Sequence, residues 1–252
     1  MIDISGMRLE LIQTEEEVSR VERSGNGLAK CDPLDSDREA AAEMLRRTSA
    51  LLDELELDWT LADGSLLGLI RNGDLIPGDN DIDIKLPQTQ ISDAMIRGFE
   101  RIGGTERSRW YCKGKVTNIS FGFGRLQVDV NSYQREGDSI WFHAAYHRPR
   151  NGGPFNGALS YNAPHKGRKP ATLLGATVQI PENAEDFLAC CYGPDWRIPA
   201  TKWNHMFSNY ALRRITGDSE ALMFGLYRAL WARDYPPSSI PVKRQIKTPA
   251  PA

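Results

Sequence analysis

The sequence has few cysteines, no apolar run long enough to cross a membrane and no excess of positive charge. Its four cysteines, Cys31, Cys112, Cys190 and Cys191, show no CxxC spacing. Neither a disulfide framework nor a zinc ribbon is therefore expected, and the thiols read as the reduced thiols of a cytoplasmic protein. The four histidines do not fall at ligand spacing from these cysteines, which argues against a structural zinc site. No apolar stretch approaches the ~20 residues that a spanning helix needs. The start, Met1-Ile2-Asp3-Ile4-Ser5, lacks the basic-then-hydrophobic pattern of an export signal. A net charge of -2 leaves no electrostatic footprint for general nucleic-acid binding. The expected location is the cytoplasm or its membrane face, with no nucleic-acid partner and no membrane span.

What is present suits a globular enzyme. The 252 residues are 40% apolar and 25% charged, enough for one sizeable domain with an elaboration. Residues 1–35 show mixed polarity and little periodicity and read as an N-terminal arm. The main domain is expected over 36–235, and the Pro-, Lys- and Ser-rich residues 236–252 read as a disordered tail. Ser36 and Glu39 fit a capping box that opens a helix over 37–57, with Ala41, Met44, Leu45, Leu51, Leu52 and Leu55 as its buried stripe. A short strand at 59–62, a short helix at 65–70, a strand at 81–86 and a helix at 88–101 follow. Residues 116–123, 126–133 and 139–146 alternate like half-buried strands. Residues 148–170, rich in Gly, Pro, Asn and basic residues, read as a functional loop. A strand at 177–180 and helices at 181–191 and 218–232 complete an α+β (mixed α/β) pattern.

The chemistry concentrates in Asp79-Asn80-Asp81-Ile82-Asp83-Ile84-Lys85. Alternate residues of a strand point to one face, so Asp81 and Asp83 stand side by side opposite a row of isoleucines. Two adjacent carboxylates repel each other and resist desolvation unless a divalent cation neutralises them. Asp129, in the alternating strand Leu126-Gln127-Val128-Asp129-Val130, joins them if the two strands pair; alone it reads equally well as a solvated strand end. Three such acids suffice to hold Mg²⁺ or Mn²⁺ with positions left for phosphate oxygens. Asp81, Asp83 and Asp129 are thus the candidate catalytic and metal-binding residues. Upstream, Gly64 and Ser65 open a helix after a strand, where a glycine lets backbone amides approach a phosphate.

The segment from Asp63-Gly64-Ser65-Leu66-Leu67-Gly68 to Asp79-Asn80-Asp81-Ile82-Asp83-Ile84 resembles the signature of the LicD/fukutin family, which is related to polymerase-β-like nucleotidyltransferases. A second block resembles it too: Thr177-Val178-Gln179-Ile180-Pro181, Tyr192-Gly193-Pro194-Asp195-Trp196 and Trp203-Asn204-His205. The resemblance covers about residues 40–205. It departs where the family has Trp followed by three acids and this chain reads Gly78-Asp79-Asn80-Asp81. Asn80 faces away from the alternating acids, so their set is kept in a less acidic pocket, and Gly78 removes an aromatic wall.

The resemblance implies a nucleotidyltransferase-type core, a mixed β-sheet flanked by helices with an extra β/loop elaboration. It implies metal-dependent transfer of a phosphocholine- or phospho-alditol-type group from a CDP- or other NDP-linked donor to a hydroxyl of a glycan or small molecule. Asp81, Asp83 and Asp129 then become metal ligands. Arg71 becomes a phosphate contact, or else a cation favouring a helix C-terminus. Asp79 falls on the rim, and Trp203 and His205 line the pocket or pack the last helix. Lys166 and Arg168 clamp a diphosphate or are simply solvated. Two other readings remain: transfer of the NMP itself to a small molecule, and a binding protein that kept the fold without catalysis.

Overall fold

The computed structural model describes residues 2–4, 7–14, 18–23, 31–146, 157–200 and 203–232. Three strands come first: β1 (Ile2–Ile4), β2 (Met7–Gln13) and β3 (Ser19–Arg23). A 3₁₀ turn at Leu34–Asp37 leads into α1 (Arg38–Glu54). Its cap is Asp37, whose carboxylate accepts the Ala40 N–H at 3.0 Å, and not the expected Ser36. The Ser36 hydroxyl instead donates to the Pro33 carbonyl at 2.6 Å, a local bond that closes the 3₁₀ turn. The expected stripe is real: Ala41, Met44, Leu45, Leu51 and Leu52 are buried, the leucines contributing about 1.5–3 kcal/mol each relative to exposure.

Next come β4 (Thr60–Leu61), α2 (Asp63–Asn72), β5 (Ile82–Pro87) and α3 (Asp93–Arg101). The helix expected from 88 begins only at 93, because the Ser92 hydroxyl accepts the Met95 N–H and caps it there. Residues 88–90 form a separate 3₁₀ turn. A meander of β6 (Thr105–Cys112), β7 (Lys115–Phe123), β8 (Leu126–Glu136) and β9 (Ser139–Tyr146) follows. Then come β10 (Gly157–Pro164), β11 (Lys169–Leu173), β12 (Ala176–Ile180), α4 (Ala184–Tyr192), β13 (Leu212–Gly217) and α5 (Ser219–Ala232).

Eleven of these strands form one sheet in the order β1-β2-β13-β10-β9-β8-β7-β6-β3, with β4 and β5 attached through β8. The attachment is a fork. The first half of β8 pairs in parallel with β5, from Ile82↔Val128 to Pro87↔Tyr133, and its second half pairs antiparallel with β9 from Tyr133↔Phe142 onward. This is why β8 needs 11 residues. The fork holds β5 at its start beside the first half of β8, which is where the acids lie.

Several expectations change here. Residues 157–164, part of the expected loop, form β10 in the middle of the sheet, between β9 and β13. Its small residues are buried on both faces, so burial overrides a turn-rich composition. Residues 147–156, the start of the Gly- and Asn-rich stretch, lie outside the described residues, as do 236–252, and its end at 169–170 opens β11. The segment read as an arm supplies β2 beside β13 and β3 beside β6. Under the sheet, Phe99 of α3 stacks on Phe121 of β7 at 4.1 Å between ring centres.

Candidate active site

The unit that carries the acids is β4–α2–β5. Thr60 and Leu61 pair with Lys85 and Ile84, and the chain then turns at Ala62 into α2. Ala62 has no side chain that can cap a helix. The Gly64 N–H donates instead to Asp83 Oδ2 at 3.2 Å, so a carboxylate from the neighbouring strand takes the anion position at the helix N-terminus. A Cβ at Gly64 would leave this approach open, meeting Asp83 Oδ2 at 3.7 Å, but would crowd Asp79 Oδ2 at 2.8 Å. Ser65 is fully buried, and its hydroxyl accepts the Asp83 N–H at 2.9 Å. The Gly64–Ser65 turn therefore braces the acid strand, with Gly64 on the cleft wall and the Ser65 side chain buried behind it.

Pairing of β5 with β8 sets Asp83 opposite Asp129, with Asp81 one step before the strand on the same face. Burial, followed by the negative charges of Asp79 and Asp63, pushes the Asp81 carboxyl up to about 7. Burial and then Asp81 push Asp129 up to about 7 as well. Asp83 is pushed well above the usual carboxylate range, first by burial, then by Asp81, Asp63 and Asp129. Asp79 is raised by burial and shares a hydrogen bond with Asp81. The acids have other partners too. Asp129 accepts from Gln127 at 3.0 Å and Asp83 from Asn131 at 3.4 Å. Among the described residues, no three His, Cys, Asp or Glu side chains stand ready to hold one ion. The chemistry of the donor set still fits a hard divalent cation, because buried carboxylate oxygens that repel one another are what such an ion neutralises.

Two further residues belong to this centre and were not singled out from the sequence. Lys85 continues the alternation of Asp81 and Asp83, is only 2% exposed, and pairs with Asp63 at the start of α2. Its ammonium also sits 4.5 Å from the centre of the Phe142 ring. Asp63 holds a left-handed φ of +43°, a conformation that costs energy in a non-glycine residue. The clue in the sequence was spacing: Lys85 shares the parity of the acid row.

A cleft of about 1200 Å³ opens over these groups. Gly64, Asp79, Asp81, Asp83 and Asp129 line it together with Arg71, Trp203 and His205. Arg71 donates to Asn72 Oδ1 at 3.1 Å, within the last turn of α2. Lys166 and Arg168 do not line the cleft. Arg168 donates to the Leu57 carbonyl at 2.8 Å and lies 3.7 Å from Asp58. The exposed Lys166 lies 3.9 Å from Asp138, and its N–H donates to Asn183 at 2.8 Å. Asn80 is exposed at the rim, its N–H donating to Asp79.

Residues 56–167 match the LicD/FKTN/FKRP nucleotidyltransferase domain. That segment is similar to the LicD/fukutin-related family. It is 25% identical over 171 residues to the ribitol-5-phosphate transferase FKTN of Mus musculus, covering 66% of this chain and 35% of that protein. To FKTN of Homo sapiens it is 24% identical over 174 residues, with the same shares covered. The chain thus spans about a third of the length of the curated relatives it matches. The mixed α+β architecture agrees with the class expected from the sequence. One solved structure, the antibiotic-resistance factor ANT(2'')-Ia, aligns with 76% of this chain and 88% of its own at 14% identity and a TM-score of 0.42, a likeness too weak to carry an argument. No described helix of this chain is long and apolar enough to cross a membrane.

Proposed function

We propose that this chain is a metal-assisted transferase moving a phospho-alditol- or phosphocholine-type group from a nucleotide-activated donor to a hydroxyl of a glycan or small molecule. The observation that carries this reading is the Asp83–Asp129 register across β5 and β8, with Asp81 on the same face, at the floor of a cleft. The match to the LicD-type domain and the ribitol-5-phosphate transferase activity of the FKTN relatives support the transferred group.

Asp81, Asp83 and Asp129 would hold Mg²⁺ or Mn²⁺, which supplies neutralisation of charge on the phosphates and on the leaving group. The chain's own groups do the rest. The Gly64 N–H and the Ser65 hydroxyl hold Asp83 in place, Gln127 orients Asp129, and the wall that carries Trp203 and His205 limits the space for the donor. An acceptor hydroxyl oxygen would then attack phosphorus, its proton passing to Asp129 or water, while the bond to the nucleoside monophosphate breaks and that monophosphate leaves.

Incubation of the protein with Mg²⁺, CDP-ribitol or CDP-choline and a panel of hydroxyl acceptors tests the reading by product mass. Release of CMP with a phospho-alcohol added to the acceptor supports it. Release of pyrophosphate from CTP, with the nucleotide itself added, favours transfer of NMP. No reaction with either donor type overturns the catalytic reading in favour of a binding protein.

A further inference from the structure

The part of the cleft built by the end of α4 and the segment after it is aromatic. Trp203 stacks on Tyr192, the last residue of α4, with ring centres 4.9 Å apart and planes 29° apart. The same returning segment lays Tyr210 on the backbone of Gly193. A Cβ at Gly193 would meet the Tyr210 ring at 2.9 Å, and the residue has a φ of +88°. The Tyr210 N–H then donates to the Cys191 carbonyl at 2.8 Å, fixing where the segment comes back. Tyr192 and Trp203 both line the cleft, yet Trp203 remains 37% exposed. One side of its ring is therefore covered by tyrosine while the residue as a whole stays partly open to solvent. Tyr192, Asp63 and Asp83 line the same cleft, so the aromatic pair and the acids share one space.

Charge makes this pair consequential. The cleft is lined by Asp63, Asp79, Asp81, Asp83, Asp129 and Asp195 against the cations Lys85 and Arg71. A nucleotide entering it is repelled by the protein itself. Its affinity must come from a divalent cation on the phosphate side and from uncharged contacts elsewhere. A flat aromatic face already ordered by stacking supplies such a contact at little further entropic cost.

We infer that the Tyr192–Trp203 stack is the nucleobase platform of this cleft, taking the planar heterocycle of the donor while its phosphates lie towards Asp81, Asp83 and Asp129. The inference rests on the transferase reading above and adds to it where the donor's base sits. Every base has a π-face, so the platform binds bases without selecting sharply among them. A quaternary ammonium is the competing occupant, since aromatic faces and acids both attract cations.

Calorimetric titration of cytidine, CMP, choline and ribitol 5-phosphate, each with Mg²⁺, into wild type, W203A, W203L and W203F tests it. Loss of the π-face in W203A and W203L should weaken cytidine and CMP alike by about 5- to 150-fold, equivalent to ~1–3 kcal/mol. W203F should keep most of the affinity, and choline and ribitol 5-phosphate should bind all four proteins equally. The leucine variant keeps apolar bulk, so it decides the matter if the alanine variant folds poorly. CMP binding W203L as tightly as wild type overturns the platform alone, as does a loss confined to choline or ribitol 5-phosphate. Failure of wild type to bind CMP at all overturns the nucleotide-donor reading together with it.

Discussion

At the Tyr133–Arg135 end of β8, Asp58 accepts a hydrogen bond from the Tyr133 hydroxyl at 3.2 Å and has Arg135 and Arg168 at 3.8 and 3.7 Å. At the Asp129 end of the same strand, Asp79, Asp81, Asp83 and Asp129 crowd together, and the nearest buried cation, Lys85, is taken by Asp63. The first cluster is neutralised by the protein and behaves as structure. The second has no such partner, so its carboxyls hold protons to higher pH than free ones do, and a cation bound with substrate would supply the balance. Lys166 and Arg168, expected at the second cluster, do not line its cleft, and Arg168 serves the first.

Substitutions sharpen this contrast. The largest effect is expected in the acid row: D83N or D81N should lower turnover more than about 100-fold, beyond the 10–100-fold typical of groups that only orient metal ligands. Rates within about threefold of wild type would place the chemistry elsewhere. Next, K85M leaves Asp63 without its partner. Breaking a buried pair costs about 3–5 kcal/mol, and because the Asp63 side chain is 30% exposed the expected loss is nearer 2–3 kcal/mol. Thermal unfolding should show this as a fall of about 5–10 °C.

A pH series reads the uncompensated charge itself. The Asp81 and Asp129 carboxyls, raised from 3.8 to about 7, bind protons more tightly in the folded state than in the unfolded chain. Their contribution to stability is fully present below about pH 4 and is lost as pH rises through 7. Metal-free protein should therefore melt lower near pH 8 than near pH 6, and Mn²⁺ should narrow the difference. A gap that Mn²⁺ leaves untouched would contradict that view of the cluster. The smallest effect belongs to the first cluster. R168A removes a half-exposed pair and a backbone contact, so turnover should stay within about twofold and stability fall by roughly 1 kcal/mol. A large, selective loss of donor affinity in R168A would return it to the binding site.

Much of this centre was legible from residue spacing. Parity along 81–85 put Asp81 and Asp83 on one face, and the alternation around Asp129 gave its strand. Their adjacency was conditional, because strand pairing is not written locally; the fork at Tyr133 settles it. The roles of Gly64 and Ser65 were read as facing a phosphate because a helix N-terminus invites any anion, and Asp83 turned out to be that anion. Strand β10 was hidden by composition, since Gly, Pro and Asn usually mark turns and only the two flanking strands make 157–164 a buried strand. The Asp63–Lys85 pair was invisible for the same reason: its partners lie 22 positions apart and meet only through the β4–β5 pairing.

The account turns on whether the crowded acids are a cation site. Calorimetric titration of Mn²⁺ near pH 8, with CMP present, into wild type and D129N side by side tests this most directly. Wild type should bind Mn²⁺, with affinity falling at least about tenfold in D129N and fading in both as pH drops below about 6. Equal binding by the two proteins, or none by wild type, would contradict it.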